Sequence, residues 1–350
     1  MSELQLALLI IGIGMIVVLY AFGWWQQRKY RRRFGEAFNS GRADVLYQDT
    51  DAGIDHGPAL ANTEKFGDTS TNLLDESCTL VNDRTDFIIE LRLNEASPAS
   101  VLDGLWQRKF DFGKPVYVCG HPLNGDKWER AIAESPALYE RIRISLQLVD
   151  RSGAISAAKL ADFRDLVAGI AKQIRADTTV PDIDETHRRA VQLDGFCAAV
   201  DQMVGVNLVP PGTRLLLGSN IAQSAGLLGM TLEADGAFHL LSSQGHSLFS
   251  LSNLDTQPFQ HHLLETTGTM GITLLLDVPR VDSPAQQFDR MMRAAHGLAK
   301  SLQASLVDDH QMPLSEGGLD RIRERIAEVE AQMCEQGFAP GSSQARRLFS

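Results

Sequence analysis

Between residues 87 and 93 the chain reads FIIELRL, so that Phe87, Ile89, Leu91 and Leu93 alternate with Ile88, Glu90 and Arg92. That is the period of a strand with one face in a core. SPASVLDGLWQRKF then predicts a helix with Ser97 as N-cap, Pro98 at its first position and a stripe of Val101, Leu102, Leu105 and Phe110. PVYVCG and RIRISLQLV (141–149) read as strands, the latter with Ile142, Ile144, Leu146 and Leu148 on one side. SAAKLADFRDLVAGIAKQI carries Phe163, Leu166, Val167, Ile170 and Ile174 on one helical face, and a second helix starts near Asp184.

The same order then returns. MVGVNLV (203–209) is strand-like, TRLLLGSNIAQSAG helical, and GAFHLL, SLFSLSNL and GITLLLDVP (271–279) strand-like. SPAQQFDRMMRAAHGLAKSL carries Phe288, Met291, Met292, Ala295 and Ala299, and SEGGLDRIRERIAEVEAQM carries Leu319, Ile322, Ile326, Val329 and Met333. The expected fold class is α+β: antiparallel sheet with helices packed on one face, in two tandem repeats at 83–202 and 203–335. Residues 336–350 read as a disordered tail.

The start of the chain obeys neither period. Residues 6–25 hold no charge, enough for a transmembrane helix across a bilayer core of ~30 Å. Trp24 and Trp25 fall at headgroup depth, followed by Arg28, Lys29, Arg31, Arg32 and Arg33 in a basic flank, 26–34. Cations stay on the cytoplasmic side, which leaves residues 1–5 outside and the remainder in the cytoplasm. A cleavable signal peptide would need a basic start, which is missing. Residues 35–82 read as an acidic flexible linker; up to residue 80 it carries nine acids against Arg42 and Lys65.

The net charge of −11 argues against nucleic acid as a partner. The four cysteines show no C-x-x-C spacing and read as free thiols in a reducing cytoplasm. There is no phosphate loop and no nucleophile elbow. His261-His262 are adjacent and cannot share a face, and Asp308-Asp309-His310 reads as a polar loop. The expectation is a non-enzymatic adaptor with no cofactor, metal or small-molecule substrate.

Strand parity singles out one surface. In 141–149 the side away from the core is Arg143, Ser145 and Gln147, a solvated face. In 271–279 it is Thr273, Leu275 and Asp277, and in 248–254 it is Leu248, Ser250, Ser252 and Leu254. Leu275 and Leu254, with Phe238 or Met203 from neighbouring strands, would floor a shallow groove for a peptide's apolar anchors. The competing reading has the two halves bury these faces against each other.

LFSLSNL, GITLLLDVP, QQFDRMMRAAHGLAKSL and SLVDDHQMPLS resemble consecutive signatures of the C-terminal domain of the ZipA family of bacterial cell-division membrane anchors. LQLALLIIGIGMIVVLYAFGWWQQRKYRRR resembles that family's N-terminal span and basic flank. The resemblance covers about 237–330 and 3–34. It implies a sheet whose bare face accepts the C-terminal tail of FtsZ, the tubulin-like ring protein. It also implies a single-pass inner-membrane protein at the division septum that stabilises and bundles FtsZ filaments. Carried over by position, the site comprises Ser252, Leu254, Thr273 and Leu275, with Phe238 and Met203. The linker is shorter than is usual in the family. The stretches at the groove rim, Asp255-Thr256 and His310-Gln311, are not strongly basic, so apolar insertion would have to dominate. The alternative is a membrane-tethered scaffold for another divisome or envelope protein.

Overall fold

The computed structural model describes residues 81–255 and 257–350. The expected span at 6–25, its flank Trp24, Trp25, Arg28, Lys29 and Arg31 to Arg33, and the linker up to residue 80 lie outside the described residues. Among the described residues, no helix is long and apolar enough to cross a membrane.

The first unit runs β1 (Asp86–Pro98), a 3-10 turn at Ala99–Leu102, α1 (Asp103–Arg108), β2 (Val116–Pro122), β3 (Glu129–Arg130) and β4 (Leu138–Gln147). A small hairpin, β5 (Val149–Asp150) and β6 (Gly153–Ala154), leads into α2 (Ala157–Ile174), β7 (Ala176–Thr179) and α3 (Ile183–Val200). Its sheet has the order β3-β2-β4-β1-β7, antiparallel throughout. The second unit begins with β8 (Met203–Val209), β9 (Leu216–Leu217), α4 (Gly218–Leu227), β10 (Met230–Leu232), β11 (Phe238–Leu241) and β12 (Ser247–Asn253). It continues with β13 (Gly268–Thr269), β14 (Ile272–Asp277), α5 (Pro284–Leu302), β15 (Ser305–Val307), α6 (Glu316–Glu335) and α7 (Ser343–Leu348). Its main sheet has the order β10-β11-β12-β14-β8-β15. The two sheets agree on one side only: β1 lies between β4 and β7 as β8 lies between β14 and β15, whereas the other side runs β3-β2-β4 in the first and β10-β11-β12-β14 in the second.

Strand parity and helix stripes explain the core. Leu274 and Leu276 of β14 and Val206 of β8 meet Phe288, Met291, Ala295 and Leu298 of α5, all buried. Each large side chain so buried contributes about 1.5–3 kcal/mol. Phe163, Val167 and Ile170 of α2 back β1 in the same way. Three of the four long helices start on side-chain caps: Ser156 accepts the Lys159 N–H, Asp182 that of Glu185, and Ser315 that of Gly318, whereas the Ser283 side chain before α5 caps nothing. Two helix starts differ from expectation. Pro98 is still extended, so the first helix opens beyond it as the 3-10 turn, and Phe110 points outward, 81% exposed. In TRLLLGSNIAQSAG, Leu216-Leu217 pair with Gly268-Thr269, and the helix begins only at Gly218, where a Cβ would stand 2.6 Å from the Leu264 carbonyl oxygen.

The C-terminal tail corrects a larger expectation. Residues 336–350 are folded: Phe338, Ala345, Leu348 and Phe349 are buried, and Ser342 caps α7 by accepting the Ala345 N–H. The tail clasps the two units together. Arg347 donates to Asp86 at 2.5 Å and to Gln147 of the first unit, and its own carbonyl accepts from the Gln147 side-chain amide. Phe338 stacks 5.8 Å from Phe196 of α3, while the Gly341 N–H donates to the Pro279 carbonyl. Arg151, in the β5–β6 turn, forks onto Asp277 at the end of β14 and onto Asp201 between the units. Burial pulls Arg151 down, but the bonds to Asp277 and Asp201 outweigh it and hold the guanidinium above its usual range. The linker's last residues also belong to the fold: Val81 is buried and the Asn82 N–H donates to Asp86.

Arg347→Ala leaves the fully buried Asp86 carboxylate without its cation. It is expected to lower stability by about 3 kcal/mol, read as a drop in the denaturant midpoint at unchanged slope.

Candidate functional site

Register across the second sheet defines its outer face. One row runs His239–Ser250–Leu275–Gly205, paired strand to strand, and the next runs Ser252–Thr273–Asn207–Val307. Beyond it, the Leu254 N–H donates to the Gly271 carbonyl. Met203 pairs with Asp277 at the opposite end. Of the predicted residues, Met203, Ser252, Leu254, Thr273 and Leu275 all stand on this face, half-buried. Phe238 does not. It pairs with Leu251, stacks 5.4 Å from Phe259 and is 4% exposed in the core. His239 takes its place outside, so an exposed aromatic anchor at 238 is withdrawn.

The face has two ends separated by a polar seam. Thr273 donates to the Asn207 Oδ1 at 2.7 Å, and Asn207 Nδ2 donates to Asp309 at 2.9 Å. Asp308 accepts the N–H groups of His310 and Met312, which folds this loop over the β15 side. Asp308-Asp309-His310 is thus a loop brace. At one end Leu254 lies over Gly271, where a Cβ would clash with it at 2.9 Å. At the other end Leu275 stands opposite Gly205, whose missing side chain leaves a notch; a Cβ there would meet Leu275 Cδ1 only at 3.9 Å. Met203, Leu248 and Leu275 floor a cleft of about 450 Å³ at this end, whose wall includes Asp277, Arg280 and Arg346. Gly205, Leu248 and the two arginines were not among the predicted site residues. Strand parity signals Leu248 and Gly205; nothing local signals Arg346.

The first unit's outer face, expected to be solvated, is instead covered. Glu90 accepts from Arg141 at 2.6 Å and Arg143 at 3.0 Å, and both guanidiniums lie against the Trp128 ring, at 5.3 and 4.2 Å from its centroid. Trp128 packs with Val81, Cys119, Ile88 and Tyr117, and Arg347 of the tail lies over Tyr117. The loop after β2, the chain before β1 and the C-terminal tail together tile this face. Here too a sequence expectation changes. Cys119 is disulfide-bonded, whereas Cys197 and Cys334 are free. Burial pushes the Cys197 thiol up to about 12, which leaves it a packing group.

Comparison with known proteins bears on the second unit. Residues 202–325 match the family model described as ZipA, C-terminal FtsZ-binding domain. The chain is 26% identical over 161 residues to the cell division protein ZipA of Ectopseudomonas mendocina, covering 45% of this chain and 59% of that protein. To the ZipA of Haemophilus influenzae it is 33% identical over 109 residues, 30% of this chain and 33% of the relative. To that of Pseudomonas fluorescens it is 28% identical over 192 residues, 48% and 66% respectively. The chain therefore spans less than two thirds of the length of each of these relatives.

Burial raises the Glu90 carboxyl, but its bonds to Arg141 and Arg143 outweigh this and hold it below its ordinary value of 4.5. The stability it contributes is complete above that value and is lost as pH falls through the lower folded one. Glu90→Gln should therefore flatten the acid limb of a stability–pH curve below about pH 4.5, measured by denaturant titration.

Proposed function

Residues 202–325 make the chain a member of the ZipA family, and from that premise we propose that the outer face of its second sheet receives the C-terminal tail of FtsZ. The observation that carries this reading is the cleft floored by Met203, Leu248 and Leu275, with Leu275 standing beside the side-chain-free Gly205. An extended or helical peptide lays its apolar side chains there, each insertion contributing about 1.5–3 kcal/mol before ordering costs. Thr273 and Ser252 keep the middle of the face small, so the peptide approaches closely across them.

In this reading the uncharged stretch 6–25 crosses the inner membrane with its N-terminus outside, and Trp24, Trp25 and the cations of 28–33 hold its cytoplasmic end at the headgroups. The folded part then holds FtsZ filaments beneath the membrane at the septum, stabilising and bundling them. The common placement of β1 between β4 and β7 and of β8 between β14 and β15 supports reading the two units as a duplication, in which the first copy has exchanged its open face for Trp128 and the Glu90–arginine cluster. That copy acts as a support.

Two substitutions test the site. Leu275→Asp places a charge on the floor and should weaken binding of an FtsZ tail peptide at least about 30-fold by calorimetry, the scale of a hot-spot residue. Gly205→Leu fills the notch, where a Cβ fits without clash, and should weaken binding while preserving the unfolding transition. Unchanged affinity in both variants would remove this face from consideration.

A further inference from the structure

Four charged side chains named on the Leu275 cleft, Asp235, Asp277, Arg280 and Arg346, differ in one respect. Both carboxylates are already engaged. Asp277 accepts two bonds from Arg151 at 2.8 Å, and Asp235 bonds the His239 ring at 2.9 Å. Neither arginine forms an ion pair among the described residues. Arg280 ends the 3-10 turn Val278–Arg280 that follows β14 and is exposed; Arg346 stands on α7, half-buried, while its neighbour Arg347 is committed to Asp86. So the cleft presents two cations whose nearest acids are spoken for, beside an apolar floor of Met203, Leu248 and Leu275. Arg346 lies beyond the stretch that matches the family model, which ends at residue 325.

We propose that Arg280 and Arg346 form a carboxylate-recognising corner, so that the docked peptide sets an acidic residue there next to the apolar side chain that fills the notch. This inference rests on the reading of the face as the FtsZ-tail site, and it adds to that reading the charge pattern of the peptide. The C-terminal helix thereby becomes part of the binding surface: the clasp that ties the tail to the first unit also holds Arg346 at the cleft. A guanidinium suits the role because it offers a planar fork of donors to a carboxylate. Charge complementarity restores what the rim stretches near Asp255 and His310 do not supply.

The test is a double-mutant cycle on the full-length chain. Tail peptide and a variant in which its Asp and Glu residues are replaced by Asn and Gln are titrated against wild type, Arg280→Ala, Arg346→Ala and the double variant. Each arginine loss should weaken the acidic peptide roughly three- to tenfold and leave the amide peptide unaffected, and the wild-type affinity for the acidic peptide should fall as salt rises. Arg346→Lys should restore part of the loss. If the acidic peptide binds all four proteins equally while Leu275→Asp abolishes its binding, the corner is overturned and the docking face stands. If neither peptide binds wild type, both fall. If the substitutions dissociate a dimer of this chain and leave peptide binding unchanged, the corner belongs to self-association and the proposal is overturned.

Discussion

A sheet backed by helices on one side turns every second side chain of its strands away from the core. What becomes of that second face is the constraint on which the two halves of this protein diverge. In the first unit, three separate pieces of chain return to cover it: Val81 before β1, Trp128 after β2, and Arg347 from the far end of the sequence. The buried Ser145 and Gln147 can sit there because Gln147 is hydrogen-bonded to the Val149 and Arg347 carbonyls. In the second unit, covering elements reach only the margins. The Asp308 loop braces Asn207, and α7 stops at one end of the cleft. Leu275, Met203 and Leu248 therefore remain half-buried on a folded, rigid floor. A preformed apolar surface of that kind lowers the cost of docking a peptide, because only the peptide has to be ordered.

The tail is what makes the divergence possible. Arg347, Gln147 and Asp86 join the C-terminus to the first sheet, and Phe338 and Phe349 are buried where the units meet. Arg151 does the same from the other direction by holding Asp277, the last residue of β14. These contacts fix the first unit against one end of the second sheet and keep it off the middle. The same geometry neutralises the carboxylate that would otherwise repel an acidic ligand.

Much of this was legible from alternation alone. Leu275, Thr273 and Ser252 follow from the period of two, because β12 and β14 are central strands whose inner positions include Phe249, Leu251, Ile272, Leu274 and Leu276. Phe238 was not legible. GAFHLL has apolar residues on both parities, and only the pairing of Phe238 with Leu251 decides which side is inside. The tail escaped for another reason. Its stretch is short, its apolar residues few, and its stability comes from partners as far as 261 residues away, a distance over which local patterns carry no information. The covering of the first sheet depends likewise on Trp128 folding back from a loop.

The central claim is that the second outer face is open to a peptide and the first is not. Backbone amide shifts of the isotope-labelled protein, followed while an FtsZ tail peptide is added, test it most directly. The account predicts saturable shifts at Met203–Asn207, Leu248–Ser252 and Thr273–Asp277, with the outer residues of β1 and β4, Glu90 and Arg143 among them, unmoved. Shifts confined to the first unit, or spread over the helices while β14 stays silent, would contradict it.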